Sequence, residues 1–369
     1  MNPTRALHDA GQSVWLDNIA ESLLRSGQLL RYIQELSLTG VTSNPTILQN
    51  AIVGGDDYDD ALRDHVATCC REPEHLVYKL ALDDLRAAAD LLRPTYEASA
   101  GADGLVSVEV PPSLVNDAAG TVEAGLALFA EAGRPNIMIK VPGTEAGLAA
   151  VEELIAQGVP VNVTLLFSTA HYLAAAEAYQ RGVERRRDAG QPLSVASVAS
   201  VFVSRWDAAA DPRLPAQLHG RVGIAACQRT YRAYLDVVAD DRWQSLAAAG
   251  ALPQRVLWAS TSTKNPALAD TYYVARLVGA NTVDTIPEPT LLAFADHGEI
   301  VATLDGDTTD SDAVLAAVSA RGIDIDALAA HLQTDGARSF NASWTALLAD
   351  VAAKVDLLTQ VPTPATKEK

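Results

Sequence analysis

Short runs rich in Val, Ile and Leu alternate along the chain with longer stretches whose apolar residues recur at helical spacing. The short runs are Ser13–Ile19, Thr39–Ser43, Leu105–Val110, Ile137–Val141, Pro160–Leu166, Ser194–Val203, Arg255–Ser260 and Thr282–Thr285. Gly, Pro, Asn or Ser bounds them, as expected of strands. Helical spacing is clearest over Ala61–Ala67, His75–Leu92, Val122–Ala132, Ala146–Gln157, Ser168–Ala189, Cys227–Val238 and Pro266–Val278. Strands separated by helices predict an α/β fold with parallel strands. A count of eight favours a closed (β/α)₈ barrel, the TIM barrel, over an open doubly wound sheet.

The spacing is uneven. About 65 residues separate Asn44 from Glu109, too many for one crossover helix, and Ala208–Gly250 is long enough for extra helices on the barrel rim. Roughly 80 residues follow the eighth run, with helical pattern at Asp312–Arg321, Ile325–Thr334 and Ser343–Leu358. The tail from about 360 to 369, with Pro362 and Pro364, reads as frayed. No Gly-, Ser- or Pro-rich linker interrupts the alternation, so residues 1–369 are expected to form one domain.

Composition narrows the function. Apolar residues make up 49% and charged residues 20%, the balance of a globular chain with a large core. The net charge of −18 argues against nucleic acid or an anionic membrane as partner. A phosphorylated substrate then needs a local cationic pocket. The 3 cysteines, two of them adjacent at Cys69 and Cys70, suggest no disulfide framework. With no apolar leader in Met1–Ala10 and no run long enough to span a bilayer, a cytoplasmic protein is expected. Rim helices can face solvent or a partner copy, so a homo-oligomer is compatible with the pattern.

The chemistry sits at the ends of the predicted strands, where barrels carry their reacting groups. Lys140 is a charged amine inside the apolar run Asn136–Thr144. Desolvation favours the neutral form of an amine, and a neutral amine is a nucleophile. Other strand ends supply Asp17, Asn44, Glu109, Asn162, Thr164, Ser200, Arg205 and Asp284, and the seventh supplies Ser260 to Lys264. Each alone has an ordinary explanation: Asp17 an N-cap, Asn44-Pro45 a turn, Thr164 a β-branched strand residue. Together they suit sugar chemistry. An activated lysine condenses with a ketone to give an iminium ion, which lets a neighbouring C–C bond break. Asp17 and Glu109 are the available bases, and Glu109, between Val108 and Val110, is expected to be buried enough to raise its pKa. Asn44, Asn162, Thr164 and Ser200 can hold hydroxyls. Arg205 with Ser260, Ser262 or Lys264 can hold a phosphate.

Rival chemistries lack their motifs. The 7 histidines include no H-x-x-x-H pair, so no metal site is expected. Gly54-Gly55 runs into Asp56-Asp57 rather than a dinucleotide loop, and no G-x-S-x-G occurs. No cofactor is expected.

The segments Leu16-Asp-Asn18, Gly40-Val-Thr-Ser-Asn-Pro-Thr46, Val108-Glu-Val110, Ile139-Lys-Val-Pro-Gly143, Asn162–Ser168 and Ser200-Val-Phe-Val-Ser-Arg205, in this order, resemble the transaldolase family. The resemblance covers about Asp17 to Asp284. It implies a (β/α)₈ barrel that transfers a dihydroxyacetone unit from sedoheptulose 7-phosphate to glyceraldehyde 3-phosphate in the non-oxidative pentose phosphate pathway. The products would be erythrose 4-phosphate and fructose 6-phosphate. By the same resemblance Lys140 forms the Schiff base, and Asp17 and Glu109 move protons, with Thr164 in the catalytic set. Asn44, Asn162, Ser200 and Phe202 meet the dihydroxyacetone part, and Arg205 binds phosphate. Val201 stands where the family often has Pro, and the segment Ala259–Pro266 looks longer than in many relatives. The choice among Ser260, Ser262 and Lys264 therefore stays open. Sister aldolases acting on fructose 6-phosphate typically carry Gln at the position of Glu109 and Tyr at that of Phe202, so the transferase is favoured over the aldolase. A third reading is a barrel that binds a sugar phosphate without turning it over.

Overall fold

The computed structural model describes residues 2–360; the tail expected to fray lies outside this range apart from Gln360. Eight strands close into a parallel barrel: β1 (Gln12–Asp17), β2 (Leu38–Thr42), β3 (Leu105–Glu109), β4 (Ile137–Pro142), β5 (Val161–Leu166), β6 (Ser197–Phe202), β7 (Arg255–Ala259) and β8 (Thr282–Ile286). Neighbours in sequence are neighbours in the barrel, and β1 pairs with β8 to close it. All eight expected strands are present, with ends shifted by a few residues.

Strand side chains alternate between two faces, and here each face has its own core. Outward residues such as Val14, Leu16, Val106, Val108, Ile139 and Val161 pack under the surrounding helices. Inward residues Trp15, Leu105, Met138, Val198, Leu257 and Val283 fill the barrel below the site. Trp15 is fully buried, and a Cβ on Gly40 of the paired strand would lie 2.5 Å from its ring, so only glycine fits. The Trp15 indole donates to Asp103 Oδ1 at 2.8 Å. This apolar plug forces the polar layer above it towards the C-terminal end of the strands.

Three helices, Pro45–Val53, Asp59–Thr68 and Pro73–Ala98, fill the long gap after Asn44. Two more, Val222–Ala239 and Asp241–Ala248, occupy the stretch expected to carry rim helices. Two helical expectations are corrected. Pro266–Val278 is not an α-helix: it forms turns and a single 3₁₀ turn, Val274–Arg276. Tyr273 donates there to the buried Asp207 at 2.8 Å, and Arg276 stacks 4.1 Å over Tyr272, so tertiary anchors override the periodicity. The stretches Ile325–Thr334 and Ser343–Leu358 are parts of one helix, Ile325–Gln360. A glycine in a helix interior costs about 0.5–1 kcal/mol relative to alanine, and Gly336 is retained because a Cβ there would meet Leu165 Cδ2 at 2.9 Å and Arg205 Nη1 at 3.3 Å.

This long helix crosses the mouth of the barrel. Gln333 donates to the carbonyls of Gly143 and Leu165, each at 3.0 Å. Leu165 has φ 60°, where the β5–β6 register slips, which frees its carbonyl from the ladder. Further along, Trp344 packs 5.3 Å from the Tyr78 ring, and Lys354 pairs with Asp59 at 2.8 Å. No described helix is long and apolar enough to cross a membrane.

Candidate active site

A cavity of about 230 Å³ opens at the C-terminal ends of the strands, where such barrels place their chemistry. Its wall includes Asp17, Asn44, Lys140, Thr164, Ser200, Phe202, Arg205, Ser260 and Ser262. Nine groups expected from sequence thus converge on one space, although they come from six different strand ends.

Lys140 is 5% exposed and donates to the Ser43 carbonyl at 3.1 Å. Glu109 and Lys140 are register partners on β3 and β4, and Glu109 Oε2 lies 3.6 Å from Nζ. That is an ion-pair distance too long for a hydrogen bond, and neither Glu109 oxygen has a hydrogen-bond partner. Burial pushes the Glu109 carboxyl up to about 7, with Lys140 opposing the rise and Asp17 adding to it. Asp17 is also raised by burial, against the pull of Lys140 and a 2.8 Å hydrogen bond from Thr42. Thr42 in turn touches Thr285 Oγ1 at 2.6 Å. Thr164 presents a buried hydroxyl with no partner.

Asn162 and Glu109 stand behind the wall. Asn162 accepts from Ser200 Oγ at 2.6 Å and donates to Ser107 at 3.1 Å, so it reaches the cavity through Ser200. Asn44 carries two duties: its Oδ1 caps the helix Pro45–Val53 by accepting from Ile47 N–H at 3.1 Å, and the residue also lines the cavity. The Phe202 ring lies 5.4 Å from Phe167 and 6.5 Å from Phe340. Arg205 lies over the rings of Phe202 and Phe340, at 5.1 and 5.8 Å. Among the described residues it has no carboxylate within ion-pair distance and no hydrogen bond. Burial works against its charge.

An amine beside two carboxylates, hydroxyl-bearing walls and a desolvated guanidinium at the rim are parts for a carbonyl substrate with an anionic end. A family model described as Transaldolase/Fructose-6-phosphate aldolase matches residues 14–351. A protein of Frankia alni named "Transaldolase" is 45% identical over 95% of this chain and 97% of its own. Similar proteins of the same name from Thermobifida fusca (44%; 95% and 98%) and Mycobacterium tuberculosis (42%; 96% and 98%) match as fully. The chain belongs to the transaldolase/fructose-6-phosphate aldolase family.

Two sequence-derived placements need adjustment. Lys264 does not line the cavity; it faces a neighbouring hollow with Asp211, His219 and Tyr273. Ser260 has φ 59°, a left-handed turn that bends the chain after β7, while Ser204 holds it at 2.9 Å. Ser260 and Ser262 thus stay on the wall and Lys264 leaves it, although Lys264 is near enough for Arg205 to lower its pKa in addition to burial. Asp284 does not reach the cavity either. Its strand neighbour Thr285 does, so Asp284 points to the outer face, where it accepts from Thr261 at 2.9 Å.

Wall residues that the sequence did not single out include Thr42, Thr46, Thr285 and Phe340. The threonines are ordinary strand or helix-cap types with no signal of their own. Phe340 comes from the long helix, and its ring lies 5.7 Å from Lys140 Nζ.

Proposed function

We propose that this chain is a transaldolase, moving a dihydroxyacetone unit between sugar phosphates through a Schiff base on Lys140. The observation that carries the reading is Lys140 buried in a cavity, beside Glu109 and facing Asp17, with the free cation Arg205 on the same wall. Its family and its similarity to proteins named "Transaldolase" over nearly their whole length support it.

The proposed steps use only residues of this site. Lys140 Nζ adds to the C2 carbonyl of sedoheptulose 7-phosphate, and loss of water gives the iminium ion. Asp17, on the wall, takes the C4 hydroxyl proton; the C3–C4 bond breaks, its electrons enter the C2–C3 enamine, and erythrose 4-phosphate leaves. Glyceraldehyde 3-phosphate then accepts the C3 carbon, and addition of water frees fructose 6-phosphate and the amine. Glu109, near 7 and within reach of Lys140, shuttles protons during formation and hydrolysis of the iminium. Ser200, oriented by Asn162, with Asn44 and Thr164, meets the hydroxyls of the three-carbon unit. Arg205 with Ser260 and Ser262 receives the phosphate. Operation in the non-oxidative pentose phosphate pathway, without metal or organic cofactor, is part of the same proposal.

Incubation with fructose 6-phosphate and borohydride tests it. A reduced three-carbon unit is expected on Lys140, and none in Lys140→Ala. An adduct on Lys79 or Lys264 instead would overturn the assignment. A fructose-6-phosphate aldolase is the less favoured reading, because the aromatic wall at Phe202 offers no proton donor to the enamine.

A further inference from the structure

Cys69, Cys70 and His75 gather on the outer surface, where the helix Asp59–Thr68 ends and the helix Pro73–Ala98 begins. One donor atom from each lies within 4.8 Å of the other two, and Cys69 Sγ is 3.3 Å from His75 Nε2. Cys69 is exposed, and Cys70 and His75 are half-buried, so the group is open to solvent on one side. None of the three lines the cavity around Lys140.

We propose that these three side chains form a binding site for a thiophilic divalent cation of the zinc type. Two sulfurs and one imidazole nitrogen are the donor set that zinc prefers, and water can complete a tetrahedron on the exposed side. Zinc–sulfur and zinc–nitrogen bonds of about 2.3 and 2.0–2.1 Å put ligand atoms roughly 3–4 Å apart. Small side-chain rotations of Cys69 and Cys70 would close the present spacing to that range.

A dication binds both sulfurs as thiolates, so metal binding and loss of the two thiol protons are coupled. The Glu72 carboxylate accepts from the His75 backbone N–H at 2.6 Å and so fixes the first turn of the helix that carries His75. Lys79, one turn further on, pairs with Glu131 and is thereby partly neutralised. A bound ion would clip the two helices together across the connection Cys70-Arg71-Glu72.

Co²⁺ is a suitable probe because thiolate ligation gives it near-ultraviolet charge-transfer absorption. Titration of the full chain, kept reduced with a phosphine, is expected to show that absorption at one Co²⁺ per chain and its bleaching by one equivalent of Zn²⁺. The Cys69→Ser/Cys70→Ser variant keeps the buried Cys227. It should lose the absorption while retaining the metal-free melting temperature. His75→Asn should weaken Co²⁺ by at least 10-fold, since even outer-shell partners of a metal ligand are worth about 10–100-fold. No charge-transfer band, a band that survives in the double variant, one ion per two chains, or unchanged affinity in His75→Asn would each overturn the site. The outcome is independent of the reading of the Lys140 cavity.

Discussion

Glu109 Oε2 and Lys140 Nζ lie 3.6 Å apart on directly paired positions of adjacent strands, both buried and with no hydrogen bond completing the carboxylate. A carboxyl held near 7 by burial changes its protonation over the physiological range. As a base it is competent above that value and loses competence as pH falls through it. Transfer measured as kcat/KM is therefore expected to rise between pH 5.5 and 8 with a midpoint near 7. Glu109→Gln should lower it by about 10²–10⁴-fold and remove that limb. An unchanged pH profile in the variant would mean that Glu109 only fills space.

Arg205 is a guanidinium with aromatic faces on two sides and no acidic partner among the described residues. Loss of a desolvated charged partner costs about 2–5 kcal/mol of binding. Arg205→Ala should raise KM strongly for phosphorylated substrates and far less for unphosphorylated analogues. Equal losses on both would show the residue to be structural.

How much of this was legible follows from where each signal resides. In a strand the chain itself dictates which face a side chain takes, so Asp17, Lys140, Thr164 and Ser200 were readable as single polar residues interrupting apolar runs. Asp284 looked the same in sequence but lies on the opposite face, because one step along a strand reverses direction. The choice among Ser260, Ser262 and Lys264 was open in sequence for a different reason: the left-handed Ser260 turns the loop, and only the three-dimensional path shows that Lys264 faces the neighbouring hollow. Phe340 carried no signal at all. It arrives from a helix 200 residues beyond Lys140 in sequence, and that helix looked broken until the close approach of Leu165 and Arg205 explained Gly336.

Asp284 gives a stability prediction with a definite sign. Its carboxyl is buried between β8 and the helix Val222–Ala239, where its charge is felt by Cys227, and burial pushes it up to about 8. The folded state thus holds the proton more tightly than the unfolded chain, whose aspartates titrate near 3.9. The resulting stability is fully present below about 4 and is lost as pH rises through about 8. Asp284→Asn cannot ionise, so the difference in melting temperature, variant minus native, should increase steadily from pH 5 to pH 8.5. Glu109 and Asp84, also raised to about 7, contribute equally to both proteins and cancel in the difference. A pH-independent difference would place the Asp284 carboxyl in water.

The division between transfer and release rests on Phe202. Its ring forms part of the cavity wall with Phe340, and Phe167 packs behind it, so no hydroxyl reaches the enamine from that side. An enamine that is not protonated at carbon stays on Lys140 until an aldehyde arrives, which makes the acceptor necessary for turnover. Phe202→Tyr places an acidic hydroxyl on that wall, beside Arg205, whose positive charge 5.1 Å from the native ring would ease its ionisation. Protonation then competes with transfer, and hydrolysis of the iminium releases free dihydroxyacetone. The measurement is dihydroxyacetone formed from fructose 6-phosphate with no aldehyde added. The native protein should release it slowly, and Phe202→Tyr should raise that rate on the order of 10²-fold, the lower end of what a positioned proton donor contributes. Transfer to erythrose 4-phosphate should fall in the same variant, because both reactions draw on one enamine. Rapid acceptor-independent release by the native protein would favour the aldolase instead, since the aromatic wall would then not be what retains the three-carbon unit.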